Sequence, residues 1–275
     1  MAGKLSLGGI ALAASGIGKE TALAFAEAGA KGVAFADINE EGALAAVEES
    51  KNFANHASFK AIAVKVDITD ETSVDNMVQT AVKEFGRIDY SVNSAGIGNL
   101  SGAMTPNIKA DMFSRILDTN VRGTMLCVRA VSKAMAAQEP LSYESRRSGT
   151  RSLGRGSIVN LGSVNSYVGA PGMMPYTASK HAIIGITKTA ALDLLPSDIR
   201  VNCVCPSWVD TPMMQASLQR VPQLDAVIKA VSPLKRAAVP EEVADYIIFL
   251  CGPGGTYING TGLIADAGAT LTMHT

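Results

Sequence analysis

The sequence predicts an α/β protein: a doubly wound parallel sheet of about seven strands with helices on both faces. Three observations predict it. Short β-branched runs alternate with longer amphipathic stretches along the whole chain. Gly16 and Gly18 follow the first apolar run and open a helix, where free backbone N–H groups favour a phosphate. Asp37 ends the second apolar run, a short distance after that turn, where a carboxylate meets the ribose of a bound dinucleotide.

The elements follow in order. The run at 10–12 supplies the first strand, and the helix opened by Gly16 succeeds it. "GVAFAD" (32–37) is a strand and "EEGALAAVEESKNFA" (40–54) a helix, with Asn39 placed to cap it. "AIAVKVD" (61–67) is a strand, and the helix over 71–86 is closed by Gly86. "RIDYSVNSAG" (87–96) carries the fourth strand into a glycine turn, and a long helix spans 108–137. The polar, turn-rich stretch 138–155 reads as a surface excursion, with Arg146, Arg147, Arg151 and Arg155 in solvent. "GSIVNLGS" (156–163) is a strand, 175–195 a helix, and "IRVNCVCP" (199–206) a strand. From 207 to 239 the strand rhythm stops and Met, Pro and Gln become common, as in an irregular flap beside a site. A helix near 240–251 and a strand near 262–266 finish a single domain spanning 1–275.

Composition narrows the function. The chain has 275 residues, 47% hydrophobic and 18% charged, with a formal net charge of -1. That balance points away from nucleic acid and from a charged membrane surface. No apolar run approaches the roughly 20 residues of a membrane span. The opening residues mimic a signal peptide, but they run without a break into a helix the fold needs and cleavage would remove the first strand, so a mature cytoplasmic protein is expected. Cys127, Cys203, Cys205 and Cys251 match no zinc spacing, and His56, His181 and His274 do not cluster with carboxylates; no metal is expected.

Four residues carry the chemistry: Asn120, Ser163, Tyr176 and Lys180. Tyr176 and Lys180 are four apart on a predicted helix, so they share one face at about 5–6 Å. A nearby ammonium favours phenolate and brings a tyrosine down from about 10 toward working pH. Such a tyrosine passes a proton to or from a carbinol oxygen. Ser163 ends the preceding strand, at the carboxyl edge where ligands collect, and its hydroxyl suits the same oxygen.

Taken together, these motifs make the chain resemble a short-chain dehydrogenase/reductase along nearly its whole length. "NSAG" (93–96), "LDTNVRG" (117–123), "GSVNSYVGAPGMMPYTASK" (162–180), "RVNCVCPSWVDTPM" (200–213) and "INGTGLIADAGAT" (258–270) carry the resemblance, in the family's order. The fold it implies is the Rossmann type. It implies Tyr176 as general acid/base, Lys180 on the nicotinamide ribose, Ser163 orienting the carbonyl or alcohol, and Asn120 sustaining a proton relay through water. It also implies a cofactor site from Ser15, Gly16, Ile17, Gly18, Asp37, Asn93, Ala95, Gly96 and Pro206. Asp67 and Ile68 would flank adenine, and Thr211 with the Val209 backbone would hold the carboxamide. Asp37 repels a 2′-phosphate, and Ser15 offers it no cation, so NAD(H) is favoured over NADP(H). Homodimers or homotetramers built on 108–137 and 175–195 are implied as well.

The substrate is read as a hydrophobic secondary alcohol or ketone, from Trp208, Met213, Met214 and Leu218 in the flap and Met173 and Met174 before it. A non-catalytic binding protein, or an epimerase or cyclase on the same scaffold, stays open. One departure is prominent. The family's Thr-Gly-x-x-x-Gly-x-Gly turn has lost its threonine and first glycine, and Leu12 is expected in the tight turn. A leucine forced to positive φ costs on the order of 1–2 kcal/mol, so cofactor binding is expected to be weakened but retained.

Overall fold

The computed structural model describes residues 9–12, 15–98 and 102–271. The first half comprises β1 (Gly9–Leu12), α1 (Gly16–Glu27), β2 (Gly32–Asp37), α2 (Glu40–Ser50), β3 (Lys60–Lys65), α3 (Glu71–Phe85) and β4 (Tyr90–Asn93). Next come α4 (Ala110–Leu117) and α5 (Thr124–Ala136), joined without a break by a π-helical turn over Asp118–Gly123. A hairpin of β5 (Leu141–Glu144) and β6 (Thr150–Gly154) leads into β7 (Gly156–Leu161), α6 (Met174–Asp193) and β8 (Ile199–Pro206). The chain continues through α7 (Pro212–Arg220), α8 (Leu224–Val231), α9 (Pro240–Cys251) and β9 (Gly262–Ala265).

Seven strands form one sheet in the order β3-β2-β1-β4-β7-β8-β9, and every pairing in it is parallel. The winding reverses between β1 and β4, so a crevice opens beyond their carboxyl ends. Alternation along each strand serves two apolar layers. Val33 and Phe35 face a cluster with Phe25 of α1 and Ile247 and Leu250 of α9. Ala34 and Ala36 face the other, with Met77 of α3 and Leu126, Val131 and Met135 of α5.

Several boundaries differ from expectation for local reasons. α2 stops at Ser50 rather than running to 54, because Lys51, Asn52 and Phe53 each donate to a carbonyl three residues back. Asn55 is thereby free to satisfy the end of α1, through its N–H to the Ala26 carbonyl and its side chain to that of Glu27. The excursion at 138–155 is a two-stranded antiparallel hairpin: Leu141 and Tyr143 alternate with polar residues, and Gly149 at φ +64 turns the chain. Its arginines 146, 147 and 151 are exposed, and Arg151 lies 5.8 Å over the Tyr143 ring. The segment 207–239 holds two helices. Thr211 caps α7 by accepting from the Met214 N–H at 3.3 Å, and Pro212 occupies the first helical position.

The first strand corrects a further expectation. Leu12 is the last residue of β1, paired with Ala36 on one side and Asn93 on the other. It is extended strand, not the tight turn, so the cost assigned to a leucine at positive φ does not arise. Gly8, Ala13 and Ala14 lie outside the described residues. Among the described residues of this connection, Gly16 takes the left-handed conformation, at φ +54.

Candidate active site

The end of β7 and the first turns of α6 build the centre of the site. Ser163 follows β7 and caps a short turn over Val164–Ser166, its Oγ accepting from the Asn165 N–H at 3.2 Å. Asn165 in turn donates from Nδ2 to Thr177 Oγ1 at 3.1 Å, fastening this turn to α6. Tyr176 and Lys180 lie one turn apart on α6. Lys180 is buried, and its Nζ donates to the Leu161 carbonyl at 2.7 Å while standing 5.5 Å from the Tyr176 ring centroid. The ammonium is thus fixed between the strand end that leads to Ser163 and the face of the tyrosine.

Asn120 sits in the π-helical turn, whose extra residue breaks the regular helical phase. Its Oδ1 accepts from the Ile97 N–H at 2.8 Å, and its Nδ2 donates to the Ile97 carbonyl and to Ser179 Oγ, both at 3.0 Å. Ser179 Oγ passes a bond on to the Tyr176 carbonyl at 2.7 Å. Asn120 therefore ties the loop after β4 to the helix that carries the tyrosine. Its amide does not line the open cleft; its polar atoms are engaged in that tie.

A cleft of about 1680 Å³ runs from the carboxyl ends of β1 and β2 to Tyr176. Ser15, Gly16, Ile17 and Gly18 line one end, with Asp37, Asp67 and Ile68 beside them. Ala95, Gly96, Ser163, Tyr176 and Lys180 line its middle, and Pro206, Val209 and Thr211 its far wall. Asn93 is the exception among the expected cofactor residues. It is buried with its Nδ2 donating to Asn160 Oδ1 at 2.8 Å, a bridge between β4 and β7 rather than a cleft contact. Of the expected apolar residues, Trp208, Met213, Met214 and Met173 line the cleft. Leu218 does not, and Met174 lines a smaller neighbouring pocket; Val221, Leu224 and Val227 of the α7–α8 region take their place.

Comparison with known proteins decides the family. A family model described as enoyl-(acyl carrier protein) reductase matches residues 11–270. Short-chain dehydrogenase fogB of Aspergillus ruber is 52% identical over 259 residues, 94% of each chain. Short-chain dehydrogenase anuF of Penicillium roqueforti is 45% identical over 274 residues, 98% of this chain and 99% of its own. The crystal structure of 3-ketoacyl-(acyl-carrier-protein) reductase from Brucella melitensis complexed with NADH superposes with a TM-score of 0.80 at 29% identity, over 96% of this chain and 99% of that one. The chain belongs to the short-chain dehydrogenase/reductase family.

A short-chain dehydrogenase/reductase works with a nicotinamide dinucleotide, and the cleft fits one. Ser15 makes no side-chain cap at α1, so the first-turn N–H groups stay available to an anion. A Cβ built on Gly16 would stand 3.3 Å from Thr211 Cγ2, so only glycine leaves the gap between that turn and the start of α7 open. Asp37 lies at the end of β2 with Oδ1 accepting from the Asn39 N–H at 2.8 Å, while Asn39 itself caps α2. Behind the centre, Cys203 and Cys205 share one face of β8 with their Sγ atoms 3.6 Å apart. The hydrogen bond to Cys205, together with burial, holds the Cys203 thiol well above the usual thiol range.

Sequence reasoning did not single out Ser166, Ser179 or the Leu161 carbonyl. Ser179 shares the face of Tyr176 at helical spacing, which was a usable signal. The Leu161 carbonyl had none, since a main-chain acceptor leaves no mark in residue identity.

Proposed function

We propose that this short-chain dehydrogenase/reductase interconverts a secondary alcohol and a ketone on a hydrophobic small molecule, with NAD(H) preferred. The observation that carries the reading is the placement of Lys180, clamped by the Leu161 carbonyl over the Tyr176 ring, with Ser163 on the same cleft wall. When bound, the nicotinamide coenzyme supplies hydride transfer. The protein's own share is the proton and the geometry. Ser163 Oγ accepts from the Asn165 N–H, which leaves its own hydrogen for the substrate oxygen. Tyr176 gives a proton to that oxygen in reduction and takes one in oxidation. Lys180 Nζ stands beside the phenol ring and lines the cleft, where a ribose hydroxyl is its natural partner.

The coenzyme would be held by Ser15 to Gly18, by Asp67 and Ile68 about the base, and by Val209 and Thr211 at the nicotinamide end. Asp37 supports NAD(H), because its carboxylate accepts from ribose hydroxyls and repels a 2′-phosphate. The Brucella reductase complexed with NADH supports a nicotinamide coenzyme in this cleft. The apolar wall from Met173, Trp208, Met213, Leu224 and Val227 supports a hydrophobic substrate. Among the described residues no helix is long and apolar enough to cross a membrane, and a cytoplasmic homodimer or homotetramer is part of the same reading.

The test is Tyr176→Phe. Turnover of hydrophobic ketones such as 2-octanone should vanish, while NADH affinity by fluorescence titration stays within about twofold, since the phenol makes no ground-state contact that dominates binding. Normal turnover by that variant refutes the mechanism. Tighter binding of NADPH than of NADH refutes the coenzyme preference alone.

A further inference from the structure

We propose that Ser166 is a positioning residue for the proton-transfer centre, holding Ser163 in register with the helix that carries Tyr176 and Lys180. Its hydroxyl accepts from the Ser163 N–H at 3.2 Å and donates to the Lys180 carbonyl at 2.8 Å. One buried oxygen therefore joins the main chain at Ser163 to the main chain at Lys180. The inference rests on the alcohol–ketone reading above.

The surroundings make that oxygen hard to replace. Ser166 is buried. A Cβ built on the neighbouring Gly162 would meet Cys205 Sγ at 2.6 Å, Cys203 Sγ at 2.8 Å and Ser166 Oγ at 2.9 Å. The hydroxyl is thus packed against Gly162 and the two thiols, and a water that replaced it would have to fit among the same atoms. Without the hydroxyl, the Ser163 N–H is buried and unpaired, at a cost of about 1–3 kcal/mol, and the turn is driven to reorient. Reorientation moves the Ser163 hydroxyl relative to Tyr176, and misplacement by about 1 Å is enough to slow chemistry strongly. The dinucleotide end of the cleft, built from α1, β2 and the loop after β3, makes no use of this bridge.

A merely structural cap and a positioning residue differ in what they disturb. For Ser166→Ala, with NADH and 2-octanone, we expect kcat to fall about 10-fold or more and KM for NADH to stay within about twofold. The primary isotope effect from NADH deuterated at C4 should rise as the chemical step becomes limiting. Ser166→Cys keeps a weak donor and acceptor, so its kcat should recover to at least about threefold above the alanine variant. If Ser166→Ala does not fold, Ser166→Cys carries the test, with kcat below wild type and a raised isotope effect expected. A kcat within about twofold of wild type in the alanine variant, or in the cysteine variant tested alone, overturns the proposal. So does a loss in kcat matched by an equal weakening of NADH, or a cysteine variant no better than alanine. Failure of the wild type, or full turnover by Tyr176→Phe, breaks the underlying reading instead; an active wild type with an unimpaired Ser166→Ala breaks only this inference.

Discussion

Replacing Asn120 by alanine should destabilise the protein well before any question of catalysis arises. The side chain is 1% exposed and makes bonds of 2.8, 3.0 and 3.0 Å to the Ile97 N–H, the Ile97 carbonyl and Ser179 Oγ. Ser179 keeps its own bond to the Tyr176 carbonyl, so its loss is small. Both groups of Ile97 lose the partner that Asn120 supplies among the described residues. Each such group costs about 1–3 kcal/mol, and Ile97 is only half-buried, so the lower half applies and the total comes to about 3 kcal/mol. For a chain of this size each kcal/mol moves the melting temperature by about 2–4 °C, which gives a drop of about 6–12 °C. Circular dichroism melts at neutral pH read it directly. Asn120→Asp refines the test. The introduced carboxyl can still accept from the Ile97 N–H but faces its carbonyl and is buried, so its folded pKa rises above the unfolded value of about 3.9. Its favourable contribution is then present in acid and lost as pH rises, and this variant should recover stability relative to wild type between neutral pH and pH of about 5. A melting temperature within about 2 °C of wild type for the alanine variant would refute the reasoning, because it would mean the loop after β4 is held by something other than Asn120.

Three further outcomes are expected. Gly16→Ala forces a side chain to φ +54 and brings it to 3.3 Å from Thr211 Cγ2, so NADH binding and folding together should lose about 1–2 kcal/mol. Thr211→Ser removes that methyl and keeps the cap, and should return part of the loss in the double variant; no effect of Gly16→Ala on either titration or melt would contradict the reading. Inserting Val-Thr-Gly between Leu12 and Ala13 returns the threonine and first glycine of the family's turn, and should tighten NADH several-fold by fluorescence; unchanged or poorer affinity shows that the turn is already competent. The Glu242 carboxylate is held down at about 2 by two bonds from Arg236, each 2.7 Å, and by the Val239 N–H. A lowered folded pKa contributes stability above the ordinary carboxyl value that is lost as pH falls toward about 2, so the urea-midpoint gap between wild type and Glu242→Gln should narrow from pH 7 to pH 3. A gap independent of pH counts against it.

Much of this molecule was legible beforehand. β2, β8 and the extent of α3 are as the residues predict, because their signals are local: short apolar runs in the strands, and a glycine at φ +79 closing the helix. Ser163, Tyr176 and Lys180 were recoverable because helical spacing and a strand end place them on one cleft. What escaped depended on partners remote in sequence. The hairpin at 141–154 needed the pairing of two weak, polar strands, neither of which reads as a strand alone. The α7 and α8 helices were hidden by the Pro- and Met-rich composition around them. The bond from Asn93 to Asn160 joins residues of two different strands, which no single stretch of sequence juxtaposes. The family's turn pattern puts Leu12 in the turn, whereas the two-sided ladder with Ala36 and Asn93 places it in β1.

The acceptor for Lys180 Nζ belongs to the peptide unit of Leu161, not to a side chain. Point substitution at 161 can change the side chain but cannot delete that oxygen. The tether of the ammonium is thus inherited with the backbone, robust to drift in residue identity, and vulnerable only to events that shift the strand itself. A lineage can therefore remodel the surrounding pocket for new substrates while the charge beside the phenol stays where it is.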